Sequence, residues 1–374
     1  MSSSDKRLGK KPVGGQRTTP GVSRTTGSST SGTTRDEMQS KISRVGDQLQ
    51  RLQRNLLLSD VQDEIENIDT TLALLPAELE RLRTRGYVFR SFLERKLGVL
   101  QEQWGGLNNK VRLEVNRRVR ELEREASAAE TTVRQASPGL STSVSRAETA
   151  VSGLESKINA AKSACRGMYS ALRQNVDQTK RQITEISWLL DQVDEASFRL
   201  YPAEDAIVAS RAQMMEGKKD GPSGILYLTD ERLIFEQKEE IATKKVLFIT
   251  TEKEKVQQLI FEAPVGQIEE ITTTDKGFLG RKEILDLAFS REAPISGATL
   301  QLQGATNEDW AGAIGRVKAG DMDKERATPK DEEVVEAARS APTKCPTCGA
   351  TLAVTIVRGM REINCEYCGS VIRL

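Results

Sequence analysis

From Val144 onward the apolar residues fall at Val144, Ala147, Val151, Leu154, Ile158, Ala161, Cys165, Met168 and Leu172, in steps that alternate three and four. That is the period of a helix packed along a narrow apolar seam, and no strand reads this way. Leu172 to Val176 is a second step of four in succession, a stutter that relaxes the supercoil, and the pattern resumes through Ile183, Ile186, Leu190 and Val193. Upstream, Met38, Ile42, Val45, Leu49, Leu52 and Leu56 follow the same rule. Ser59-Asp60-Val61-Gln62 has capping-box spacing and restarts the seam at Leu58, Val61, Ile65, Ile68, Leu72 and Leu75. Pro76 lacks an amide proton and fits the first turn of a new helix. Ser137-Pro138-Gly139 is the strongest break in the region. Residues 36–200 are therefore expected to form a helical coiled-coil rod. Residues 77–136 and 138–199, of similar length, would form a long antiparallel hairpin. A parallel homodimer uses the same pattern, so self-association through the seam stays open.

Composition excludes several activities. Histidine is absent, which removes His-dependent nucleophilic triads, histidine metal sites and the usual general base near neutral pH. No phosphate-binding loop, dinucleotide fingerprint or nucleophile motif is present, and the chain reads as non-enzymatic. Lys+Arg 55 against Asp+Glu 54 leaves the whole nearly neutral, so no global charge recruits DNA or anionic membrane. No apolar run is long enough to span a bilayer, and the first residues lack the apolar segment of a secretory signal. Residues 1–35 are Ser, Thr, Gly, Pro and basic residues, a composition that cannot offset the entropy of ordering. This basic tail reads either as a solvated segment or as an arm for anionic lipid or nucleic acid. Residues 321–342 are highly charged and read as a linker with a short helix at Glu332 to Arg339.

The C-terminus carries the firmest chemistry. Cys345-Pro-Thr-Cys348-Gly349 is followed by Cys365-Glu-Tyr-Cys368-Gly369, with sixteen residues between Cys348 and Cys365. Two CxxC pairs at this separation point to one structural Zn²⁺ held by Cys345, Cys348, Cys365 and Cys368, because each pair can turn two thiolates toward one ion. Four cysteines leave no open coordination position. Leu352, Val354 and Ile356 alternate with Thr351, Ala353 and Thr355, so a strand is expected between the pairs, with Ile363 starting its return. Residues 343–374 resemble a zinc ribbon.

Between the rod and the ribbon the period changes. Across residues 203–320 short β-branched and aromatic runs replace helical spacing: 207–208, 224–229, 232–236, 246–250, 258–261, 268–273, 284–289 and 298–302. Such a set indicates a small β-barrel or sandwich. Asn307, with Glu308 and Asp309 behind it, is expected to cap a final helix whose stripe is Trp310, Ile314 and Val317. The stretch Gly224-Ile-Leu-Tyr-Leu-Thr-Asp-Glu-Arg-Leu-Ile-Phe235 resembles the hairpin of GRAM and other pleckstrin-homology-like (PH-like) domains. The resemblance implies a strongly bent antiparallel sheet closed by one C-terminal helix. It also implies binding of lipid headgroups or protein partners rather than catalysis.

Two sets of residues could serve such docking. Lys218, Lys219, Lys244, Lys245, Arg281 and Lys282 could ring a phosphate, although each falls where a loop lysine is expected anyway. Gly277-Phe278-Leu279-Gly280 would place Phe278 and Leu279 at a loop tip beside Lys276, Arg281 and Lys282. That tip either inserts into a bilayer interface or a partner's groove, or folds back onto the sheet. The chain thus reads as a cytoplasmic scaffold or adaptor, peripheral at a membrane if the tip inserts. Its expected partners are protein first and anionic membrane lipid second. The alternative is a nucleic-acid-associated factor using the ribbon and the basic tail; in the ribbon only Tyr367 could stack on a base.

Overall fold

The computed structural model describes residues 30–373 apart from 218, 247–248, 277–281, 341, 353, 355 and 359, and describes the backbone alone at 30–34, 241–246, 249–254, 276 and 337–339. The chain divides into two compact units. One comprises residues 1–58 and 116–163, the other residues 59–115 and 164–374. Four helices precede the sheet: α1 (Thr30–Gln53), α2 (Ser59–Thr84), α3 (Phe92–Arg134) and α4 (Ser141–Asp194). α1 begins inside the stretch expected as a polar tail.

In the first unit three helical segments bury one seam. Val45, Leu49 and Leu52 of α1, Leu122, Ala126 and Ala129 of α3, and Val144, Val151 and Ile158 of α4 are all buried. Lys157 pairs with Glu125, and Gln48 donates to Glu155, across the rim of that seam. The Ser137-Pro138-Gly139 break lies between α3 and α4. There the Ser143 hydroxyl accepts from the Ser137 amide at 3.0 Å and donates to the Leu140 carbonyl at 2.7 Å, closing the turn.

In the second unit α2, the first part of α3 and the last part of α4 form a second three-helix arrangement. Arg83 meets Glu94 and Asp69 meets Arg112, so α2 and α3 are antiparallel. Arg90 meets Glu185 and Lys96 meets Gln178, so α3 and α4 are antiparallel too. The expected break at Pro76 does not occur: α2 runs through it. A proline there removes the amide that would bond the Leu72 carbonyl, and Gln101 Nε2 of α3 donates to that carbonyl instead, at 2.9 Å. The helix ends at Gly86, whose φ of +98° suits glycine. Arg83 then donates to the carbonyls of Tyr87 and Phe89, at 2.9 and 2.6 Å, and shapes a loop that buries both rings.

The α4 seam also differs by one residue from its sequence reading. Met168 is 37% exposed and Tyr169 is 1% exposed. With Tyr169 in the seam and fully buried Thr179 filling the gap before Ile183, the two steps of four fall at Ala161, Cys165 and Tyr169. Thr179 is polar and escapes an apolar count, but its hydroxyl donates to the Asn175 carbonyl at 2.7 Å and leaves its methyl to the core.

The sheet has seven antiparallel strands in the order β4-β3-β2-β1-β7-β6-β5. They are β1 (Ala206–Glu216), β2 (Lys219–Thr229), β3 (Arg232–Val246), β4 (Ile249–Pro264), β5 (Ile268–Lys276), β6 (Lys282–Phe289) and β7 (Gly297–Gln303). It is not a closed barrel, because β4 and β5 have no bond to one another in that order. The runs at 232–236 and 258–261, with residues 246, 249 and 250, belong to a single long β3–β4 hairpin; 247–248 lie outside the described residues. Lys219, Lys244, Lys245 and Lys282 accordingly lie on strands rather than in loops. Gly224 faces Gln237 across the β2–β3 pair, where a Cβ would stand 1.9 Å from the Glu236 carbonyl oxygen; only glycine fits. One helix, α5 (Asn307–Lys318), follows the last strand and buries Trp310 and Ile314. Its cap is Thr306, which accepts from the Asp309 amide, and not Asn307. Asn307 is instead buried and donates to Asp275 and the Ile284 carbonyl. Seven antiparallel strands followed by α5 match the order of elements expected from the β2–β3 hairpin.

In this second unit the sheet core and the helical core are continuous: Leu75, Tyr87, Phe89, Ile186 and Phe198 join one cluster with Leu226, Phe235 and Leu300. A short helix, α6 (Glu332–Arg339), lies where the sequence placed it. The last strands are β8 (Glu362–Asn364) and β9 (Val371–Arg373). The strand expected at 351–357 is reduced, among the described residues, to one bridge between Lys344 and Thr351.

Candidate metal centre

Each cysteine pair is held by the same short loop. The Gly349 amide donates to the Cys345 carbonyl at 2.8 Å and the Cys345 amide to the Ala350 carbonyl at 2.8 Å. The second loop repeats this with Gly369 to Cys365 at 2.8 Å and Cys365 to Ser370 at 2.9 Å. Both loops close only because Gly349 and Gly369 take positive φ, +74° and +72°. β8 and β9 pair through Ile363 and Ile372, and this hairpin carries Cys365 and Cys368 up to Cys345 and Cys348.

The four sulfurs of Cys345, Cys348, Cys365 and Cys368 lie within 4.8 Å of one another. Cys345 Sγ stands 3.7 Å from Cys368 Sγ, and Cys348 Sγ 3.7 Å from Cys365 Sγ. A disulfide would need about 2.05 Å. Four thiolates about 2.3 Å from a tetrahedral ion stand roughly 3.8 Å apart, close to the separation of these two pairs. The cluster could therefore hold a metal ion, and a set of four soft donors is consistent with zinc.

The electrostatics point the same way. The Ser370 hydroxyl, 3.2 Å from Cys345 Sγ, and the amides of Cys348 and Thr347 hold the Cys345 thiol down at about 5. The same hydroxyl, 3.1 Å away, lowers Cys368. Cys348 is pushed up to about 12: the Ala350 amide works to lower it, but the sulfurs of Cys368, Cys345 and Cys365 prevail. Four crowded thiols cannot all ionise unaided, whereas a dication among them makes full ionisation favourable.

Elsewhere several charged groups bond one another. Glu204 is fully buried and pairs with buried Arg232 at 2.9 Å. Arg232 also lies over the Tyr201 ring at 3.9 Å and bonds Glu262 and the Arg199 carbonyl. Asp205 and Asp230 share Arg326. A groove of about 300 Å³ between α2 and α3 is lined by Pro76, Leu79, Gly98 and Gln101. Within it Arg83 pairs with Glu94 and Gln101 bonds the Leu72 carbonyl. In the sequence Arg232 stands out only as part of the β2–β3 motif. Its role has no local signature, because its partner Glu204 stands 28 positions away.

Of the expected docking residues, Phe278, Leu279 and Arg281 lie outside the described residues, as does Lys218. Lys276 and Lys282 are the last pair of the β5–β6 register, and Lys282 is exposed. The basic tail as far as residue 29 is likewise outside the described residues.

No family model matches the sequence, and no curated protein matches it. Solved structures similar to the chain include the Vps36 N-terminal PH domain, at 17% identity and a TM-score of 0.23, covering 32% of this chain and 83% of that one. The DH/PH domains of p115-RhoGEF align at 11% identity and a TM-score of 0.19, over 78% of this chain and 95% of that one. The PDZ-RhoGEF DH/PH domains in complex with activated RhoA align at 13% identity and 0.21, over 79% and 96%. At such scores these likenesses carry no argument.

Proposed function

We propose that this protein is a non-enzymatic adaptor. A PH-like domain of the GRAM type docks it to a protein partner or an anionic membrane surface, and a zinc ribbon adds a protein-binding module. The observation that carries this reading is the closed set of four sulfurs beside a PH-like sheet. A metal with four protein ligands has no position left for a substrate or water, so it builds structure rather than chemistry. A ribbon whose buried cluster is Cys345, Ile363, Cys365 and Ile372 draws its folding energy from the metal. Docking falls to the sheet domain, whose β5–β6 hairpin ends at Lys276 and Lys282. Each exposed basic contact with an anionic surface is worth on the order of 1 kcal/mol, so several must act together.

Flotation of the full chain with phosphatidylserine-containing vesicles, run beside a pull-down with mass spectrometry, tests the reading. Recruitment that Phe278→Ser and Arg281→Glu both abolish supports membrane docking. A specific protein partner without flotation supports protein docking. Turnover of a substrate by the purified chain would overturn the non-enzymatic reading.

A further inference from the structure

The ribbon touches the rest of its unit through a turn that contains no cysteine. The Met360 amide closes this turn on the Val357 carbonyl at 3.0 Å, and Arg358 stands at its tip. The Arg358 amide donates to the Leu200 carbonyl at 2.7 Å. Its guanidinium donates to the Glu204 carbonyl and pairs with the Asp205 carboxylate at 2.9 Å. Leu200 to Asp205 lies in the connection between α4 and β1, which runs from 195 to 205, so one arginine of the ribbon grips the joint where helices pass into sheet.

Asp205 has a second cation. Arg326 pairs with it at 2.8 Å, bonds Asp230 as well, and lies over the Phe89 ring at 4.7 Å. The two arginines differ in one respect that matters. The Arg326 side chain is 6% exposed and that of Arg358 is 46% exposed. Arg326 is a built part of the core, whereas Arg358 rests on the joint from outside. A contact of that exposure is weak enough to open without unfolding what lies beneath. What holds Arg358 in place is the fold of its own ribbon, whose buried cluster is only Cys345, Ile363, Cys365 and Ile372.

We propose that the ribbon is a metal-dependent latch on the α4–β1 joint. With zinc held by the four cysteines, the turn at Val357 to Met360 is rigid and Arg358 clamps Leu200, Glu204 and Asp205. Without the metal the turn loses its support and the clamp opens, while Arg326 continues to hold Asp205 and Asp230. The state of the cysteines is thereby transmitted to the helix–sheet joint without moving the sheet core. The inference rests on reading the four cysteines as a zinc site.

The test uses the full chain, with zinc content from elemental analysis and hydrogen exchange followed by mass spectrometry. Arg358→Glu is expected to keep one zinc per chain and protected Gly349 and Gly369 amides, yet to exchange about tenfold faster over residues 198–206. Chelating the zinc from the unaltered chain should produce the same signature over 198–206, together with loss of ribbon protection. Arg361→Glu, at an exposed ribbon position, should change neither. If Arg358→Glu loses zinc, Arg358→Gln is read in its place. Unchanged exchange over 198–206 in a zinc-loaded Arg358 variant overturns the latch and leaves the zinc site standing. Absence of zinc from the unaltered chain overturns the zinc site itself.

Discussion

Ile65, Leu79, Ile183 and Leu190 belong to helices in which almost every third or fourth residue is buried, while the ribbon in the same unit buries Cys345, Ile363, Cys365 and Ile372. The helical seam is redundant: any one side chain is a small share of a long stripe, and even a proline inside α2 is accommodated by Gln101. The ribbon has no redundancy, because half of its buried cluster consists of the candidate metal ligands. Hydrophobic burial scales with area, so a long seam tolerates defects and a small ribbon depends on a few strong bonds. Local defects should therefore have graded effects in the helices and all-or-none effects in the ribbon.

The largest effect is expected in the ribbon. Cys365→Ser, or chelation, should unfold residues 343–373 outright, since binding of a structural zinc is worth about 10–16 kcal/mol in small modules. Loss of amide protection at Gly349 and Gly369, with the sheet core still protected, is the measurement. A ribbon that stays folded without metal would erase the contrast.

Arg232→Met should come next, because it strips Glu204 of its partner inside the sheet domain. Leaving one buried charge uncompensated costs about 3–5 kcal/mol, seen as a lower thermal midpoint for the sheet. The double change Arg232→Met with Glu204→Leu should recover part of that loss. Gln101→Leu should cost less, about 1–3 kcal/mol, by orphaning the Leu72 carbonyl. Faster exchange should be confined to α2 around Pro76, which is the graded response expected of the seam.

The smallest effect concerns acid. Partial burial works to raise the Glu64 carboxyl, but hydrogen bonds from Arg166 and Tyr169 and the charge of Arg173 hold it below its ordinary 4.5. A depressed carboxyl contributes stability above about pH 4.5 and loses it as pH falls through the lowered value. Solvent screening keeps the contribution below ~1 kcal/mol. Glu64→Gln should flatten that part of the acid-unfolding curve and leave the ribbon's zinc content unchanged near pH 7.

Much of this was legible in the residues. The seam of α4, the helix start at Ser59, the break at Ser137-Pro138-Gly139, the short helix at Glu332 to Arg339, and the two CxxC pairs all follow from spacing along a few turns of chain. The failures have a common cause. Tyr169 rather than Met168 fills the seam because its hydroxyl reaches Glu64 at 2.8 Å while its ring meets Trp104 edge-on at 6.4 Å. Pro76 stays inside α2 because a side chain from another helix replaces the missing bond.

Sequence alone determined the local facts: helical period, strand chemistry, turn residues and a four-sulfur donor set. These are fixed by interactions among neighbours in the chain, where periodicity and side-chain type decide the outcome. Tertiary structure alone decided that the sheet stays open between β4 and β5, that Arg232 pairs with Glu204, and that Arg326 and Arg358 meet on Asp205. Those partners are 121 and 153 positions apart. A charged residue carries no mark of its distant partner, because any acid would satisfy it equally. Only the folded path of the chain selects which one it meets.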